Sequence, residues 1–114
     1  WFYLGWATRI GDFDNDGNND IFVVNGHIYP EVDAATLRTS YAQRNQVLWN
    51  DGDSKLAERE VLPEDGLAKL GSSRGAAFGD IDNDGDLDLY AVYKDQESGL
   101  FVNDELAGQN KLIF

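Results

Sequence analysis

Cysteine and methionine are both missing from the 114 residues. Without Cys there are no disulfides, no thiol nucleophile and no thiolate metal site, so structural zinc of the usual kind is excluded. Histidine occurs once, at His27, and proline only twice. No apolar run approaches the ~20 residues that a bilayer-spanning helix needs. Basic residues are scarce as well, nine against twenty-one acidic ones, for a formal charge of −12. That balance repels nucleic-acid phosphates and anionic lipid and attracts cations, so nucleic acid and membrane insertion are excluded from the expected partners. The chain opens on Trp1, with no Met and no charged-and-apolar leader. The expectation is a mature, trimmed or partial piece of a longer protein.

Glycine, by contrast, is abundant, and Val, Ile, Tyr, Phe and Trp gather in short runs separated by Asn, Asp and Gly clusters. This pattern predicts an all-β chain. It also contains an internal repeat. Ala7-Thr8-Arg9-Ile10-Gly11-Asp12 aligns with Gly75-Ala76-Ala77-Phe78-Gly79-Asp80, and the alignment runs without gaps to Asn25 and Tyr93. Both copies read Gly-Asp-x-Asp-Asn-Asp-Gly-x-x-Asp and then turn apolar. Further on, Val47-Leu48-Trp49-Asn50-Asp51 answers Leu100-Phe101-Val102-Asn103-Asp104 at a shorter offset, so the first copy carries an insertion within residues 26–44.

Each copy predicts a small-residue strand (7–11; 75–79), an acidic loop, an apolar strand (21–25; 87–93) and a third strand (46–50; 99–103), with a fourth near 56–61 in the first copy. The first repeat then spans 1–61, a connection 62–73, and a second, incomplete repeat 74–114. Units of three or four short antiparallel strands cannot bury both faces alone and stack face to face, as the blades of a β-propeller do. Within the insertion, residues 34–38 are compatible with a helical turn but lack the apolar periodicity of a full helix. The insertion is expected to be an ordered loop, and loops between strands often carry function.

The acidic loops point to calcium, a hard cation that takes about six to eight oxygens. Asp12, Asp14 and Asp16 stand at loop positions one, three and five, Gly17 allows the sharp turn, Asn18 offers its backbone carbonyl, and Asp20 stands at position nine. In the second loop the same places fall to Asp80, Asp82, Asp84, Gly85, Asp86 and Asp88. Carboxylates crowded this closely repel one another unless a cation offsets the charge, so about two calcium ions are expected as part of folding. The plainer alternative is an Asp/Asn/Gly turn without a ligand; its recurrence at matching positions argues against it. An EF-hand is excluded because position twelve is Val23 or Ala91 where a bidentate Glu is needed, and because strands, not helices, follow the loops.

At these residues the sequence resembles the FG-GAP (VCBS-type) repeats of integrin alpha-subunit heads and many secreted bacterial proteins, most clearly along Phe78-Gly79-Asp80-Ile81-Asp82-Asn83-Asp84-Gly85-Asp86-Leu87-Asp88-Leu89. More narrowly it resembles the cartilage acidic protein (ASPIC/UnbV) group, through Val24-Asn25-Gly26-His27-Ile28-Tyr29-Pro30, Gln43-Arg44-Asn45-Gln46-Val47-Leu48, Glu64-Asp65-Gly66-Leu67 and Ser73-Arg74-Gly75-Ala76-Ala77-Phe78-Gly79-Asp80. The resemblance implies blades of a seven-bladed propeller, calcium in the Asp-rich loops, and an extracellular, secreted or cell-surface protein (periplasmic in some settings) acting in adhesion or as a scaffold. About two blades are present, whereas a closed propeller takes at least about four. Neighbouring blades or further copies of the chain are therefore expected partners, beside a protein or glycan at the cell surface or matrix.

An enzyme reading is weaker on these residues. His27 has no recognisable nucleophile partner and is expected to have a structural hydrogen-bonding role. The clustered Asp residues that could serve glycoside hydrolysis are already assigned to calcium. Trp1, Trp6, Trp49 and the Tyr residues suit packing between blades better than sugar stacking. The expectation is a non-catalytic calcium-binding module. A fragment of a calcium-dependent, polysaccharide lyase-like propeller and a self-assembling extracellular subunit stand as alternatives.

Overall fold

The computed structural model describes residues 3–28, 30–34, 40–53, 55–94, 96–104 and 109–112. These residues form two four-stranded antiparallel sheets and one two-stranded sheet. The first consists of β1 (Gly5–Gly11), β2 (Asp20–Asn25), β4 (Gln46–Asn50) and β5 (Leu56–Ala57), side by side in that order. The second repeats the arrangement with β7 (Ser73–Gly79), β8 (Asp88–Tyr93), β9 (Gly99–Asp104) and β10 (Gln109–Leu112). These are propeller-type blades, as expected. The β10 strand was not expected, and β5 is shorter than the expected 56–61 strand.

Two short strands, β3 (Gln43–Arg44) and β6 (Leu70–Gly71), pair with each other. They tie the insertion of the first blade to the chain entering the second. Single 3-10 turns occupy Pro30–Ala34 and Gly66–Ala68. The helical turn expected at 34–38 falls mostly on residues 35–39, outside the described residues.

The register repeats from blade to blade. Gly11 faces Asp20 across β1 and β2, and Gly79 faces Asp88 across β7 and β8. Each first strand carries an irregularity at the same place, leaving Trp6 in one blade and Arg74 in the other unpaired in the ladder. A bulge of this kind redirects a side chain. Here the two bulged residues meet, with the Arg74 guanidinium 4.6 Å from the centre of the Trp6 ring, a cation–π contact between blades. Arg74 also donates to the His27 carbonyl (2.9 Å) and the Ser72 hydroxyl (2.6 Å). The backbones come close at this point. A Cβ on Gly26 would lie 2.5 Å from Ser72 Cα, so only glycine fits.

The core lies between the sheets. Phe13, Phe22 and Phe78 form a triangle with ring centroids 5.5–5.8 Å apart and tilted or edge-on planes, the geometry aromatic quadrupoles favour. Val24, Val47, Trp49, Leu67, Leu89, Ala91, Tyr93 and Phe101 complete it. Burying each larger side chain contributes roughly 1.5–3 kcal/mol.

Stacking also makes the two blades use opposite faces of equivalent strands. β2 buries Phe22 and Val24, whereas β8 buries Leu89 and Ala91. The second-blade counterparts of Phe13, Phe22 and Val24 are Ile81, Tyr90 and Val92, and these are 56%, 40% and 44% exposed. The face covered in the first blade is thus open in the second.

Candidate metal centre

Each acidic loop joins the first strand of its blade to the second. Backbone chemistry shapes both loops in the same way. Asn15 and Asn83 adopt left-handed φ values of 57° and 62°, and Gly17 and Gly85 sit at 89° and 92°. Asn is among the few non-glycine residues that tolerate this region, and Gly carries no penalty there. The Asp12 carboxylate accepts the Asp16 and Gly17 N–H groups at 3.2 and 2.8 Å. Asp80 accepts those of Asp84 and Gly85 at 3.1 and 2.9 Å. The loops are therefore pre-curled by their own first carboxylate.

The last Asp of each loop acts as a strut. Asp20, fully buried, accepts the Phe13 N–H at 3.0 Å through one oxygen and the Asn50 N–H at 2.9 Å through the other. Asp88, also buried, accepts the Ile81 and Asn103 N–H groups at 2.8 and 2.9 Å. A single carboxylate thus ties the loop start to the third strand. The Asn-Asp pair repeated at 50–51 and 103–104 was the sequence signal for this link, although the sequence reading assigned it no role.

Among the described residues, carboxylate oxygens converge in three groups, within 4.8 Å of one another: Asp12, Asp14 and Asp20; Asp80, Asp82 and Asp88; and Asp14, Asp16 and Asp51. Positions one, three and nine are brought together in both loops. Asp16 turns instead toward Asp14 and Asp51, and Asp51 was not singled out from sequence. Asn18 donates its N–H to Asp16 Oδ1 at 2.8 Å and its amide to Oδ2 at 3.3 Å. Asp84 and Asp86 do not join their cluster: Asp84 accepts the Asp86 N–H at 2.9 Å, and the buried Asp86 carboxylate accepts from the Asn15 amide of the first loop. A second link between the blades runs from the Asn103 amide on β9 to the Phe13 carbonyl of the first loop at 2.6 Å.

Electrostatics distinguishes the loops. Burial pushes the Asp14 carboxyl above its ordinary value, with Asp20 and Asp16 adding repulsion and Arg59 opposing. The Asp14 side chain is only 6% exposed, and its Oδ1 has no hydrogen-bond partner. A buried, orphaned carboxylate oxygen at the centre of an acidic cluster is the position a hard cation would satisfy. Asp16 is held low, chiefly by the Asn18 backbone N–H. In the second loop Asp82 is pushed up by desolvation and then by Asp84 and Asp88.

The first loop already has a cation beside it. Arg59, just beyond β5, pairs with Asp14 at 2.9 Å and Asp51 at 2.7 Å and lies 4.2 Å from the centre of the Trp49 ring. Sequence reading missed Arg59, because only the packing of the β4–β5 hairpin brings it to the loop. Elsewhere, the gap between the blades is lined mainly by apolar side chains, among them Phe13, Phe22, Val47, Trp49, Leu67 and Phe101.

A family model for the FG-GAP-like repeat matches residues 12–91, which include both loops and well over half of the chain. Together with two blades of repeated register, this defines a repeat module of the β-propeller class. The chain belongs to the FG-GAP-like repeat family. No curated protein and no solved structure matches it. No helix among the described residues is long and apolar enough to cross a membrane.

Proposed function

We propose that the chain is a non-catalytic, calcium-stabilised pair of propeller blades from a secreted or cell-surface protein of the cartilage acidic protein (ASPIC/UnbV) group, serving adhesion or scaffolding. The observation that carries this reading is the loop built twice, with an orphaned Asp14 oxygen buried at the centre of one copy. Asp12, Asp14 and Asp20 hold one ion, assisted by Asp16 and the Asn18 carbonyl. Asp80, Asp82 and Asp88 hold the other, assisted by Asp84 and the Asp86 carbonyl. Bound calcium offsets about four units of negative charge and pins the connection between the first two strands of each blade. Extracellular calcium fills even weak sites of this kind, with affinities of about 0.1–1 mM.

The open Ile81, Tyr90 and Val92 face supports a further step, because it is the counterpart of the face that the second blade covers in the first. A neighbouring blade, or another copy of the chain, packs there in a head-to-tail contact. Calorimetric calcium titration, with sedimentation recorded with and without chelator, tests both statements. About two ions bound, together with a mass above one chain at micromolar concentration, supports calcium binding and self-assembly. A folded chain that binds no calcium refutes the metal reading.

A further inference from the structure

Although the loops share sequence and backbone shape, among the described residues only the first has a basic side chain paired with it. Arg59 reaches Asp14 and Asp51 at 2.9 and 2.7 Å while its guanidinium rests on Trp49. Among the described residues no Lys or Arg pairs with Asp80, Asp82, Asp84 or Asp88. Trp49 faces Ala57 across the β4–β5 hairpin, and Arg59 follows two residues further on.

Resting on the calcium reading above, we propose that Arg59 is a resident counter-cation of the first loop, which competes with a divalent ion for Asp14 and makes the two sites unequal. Asp14 offers one oxygen to Arg59, and its other oxygen is buried without a partner. A planar guanidinium bridges the two carboxylates but cannot supply the multiple close contacts that a small divalent ion makes with several oxygens at once. It partly neutralises the loop and leaves it able to accept an ion. To make Asp14 fully available, Arg59 gives up that contact and keeps Asp51 and Trp49. The first loop thus holds calcium more weakly than the second but keeps its shape better when calcium is withdrawn. Asp51 and Arg59 both lie outside the acidic repeat, so the first site is tuned by the far hairpin of its own blade.

The test uses the 114-residue chain carrying Asp82→Asn, which removes the second site and leaves the first to be titrated alone. Calcium affinity is read by calorimetry and by terbium luminescence sensitised through Trp49. Arg59→Gln is expected to tighten this site about three- to tenfold, the worth of one or two exposed ion pairs. In chelator the same change is expected to lower the melting temperature. Arg59→Lys keeps the charge but cannot bridge both carboxylates, and should fall between the two in both measurements. If Arg59→Gln does not fold without calcium, that is the extreme of the expected loss, and the Lys variant then carries the affinity measurement. Affinities indifferent to residue 59, or weakened by Gln, overturn the proposal and leave the calcium reading intact. Absence of calcium binding in the unsubstituted chain overturns both.

Discussion

Replacing Asp88 with Asn separates the role of this residue as a strut from any role as a metal ligand. Its two oxygens accept the Ile81 and Asn103 N–H groups at 2.8 and 2.9 Å, in a site only 1% exposed. Asn keeps one acceptor and turns the other position into a donor facing an N–H. One hydrogen bond to a charged group is lost, worth about 1.5–3 kcal/mol, and a buried donor is left unmade. A loss of about 2–3 kcal/mol follows, a sizeable share of the roughly 5–15 kcal/mol that holds a domain of this size. It corresponds to a fall in melting temperature of roughly 10 °C. The assay is thermal and urea unfolding of both proteins in chelator, where ligation contributes nothing. Asp20→Asn should behave alike, since Asp20 bridges Phe13 and Asn50. Equal stability of Asp88→Asn and the unsubstituted chain in chelator would refute the strut.

Asp82→Asn should do the reverse, because Asp82 is exposed and its carboxyl is pushed up by its surroundings. Unfolding should show no loss, or a small gain, in chelator and a clear loss in saturating calcium. The pH dependence in chelator follows from the same shifts. Asp14 and Asp82 have raised values, so their contributions are complete below the ordinary 3.8 and are lost as pH rises through their folded values. Asp16 is lowered, so its contribution is present above 3.8 and lost only below that. Metal-free stability should therefore rise on mild acidification from neutral and fall again in stronger acid; a steady decline from neutral would contradict it. Gly26→Ala places a Cβ 2.5 Å from Ser72 Cα, and calorimetric melting should show a loss of about 1–3 kcal/mol. Tyr90→Lys together with Val92→Lys should lower the sedimenting mass without unfolding the chain, if that face carries the head-to-tail contact.

The repeat, the strand order within each blade and the acidic loops were legible because they rest on local rules. Alternating apolar residues mark strands, and Asp, Asn and Gly mark turns that require left-handed backbone. The loops at 12–20 and 80–88 were placed correctly between strands for that reason. Within the loops the reading was coarser, since one-dimensional spacing treats every Asp as pointing inward. In the fold Asp20 and Asp88 also brace the third strand, Asp16 turns to Asp51, and Asp86 crosses to Asn15. The β10 strand was missed because Gln109–Leu112 is short and polar and becomes a strand by pairing with β9.

The sequence alone determined the composition of the sites: two copies of one carboxylate-rich loop, an acidic chain, and strands too short and one-sided to stand singly. Those properties depend on residues close together in the chain. Tertiary structure decided the differences between the copies. Stacking buries Phe22 and Val24 while leaving Tyr90 and Val92 open, and the packing of a distant hairpin sets Arg59 on Asp14, an ion pair with no counterpart at the second loop among the described residues. Contacts of that kind join residues far apart in the chain, where no local periodicity records them.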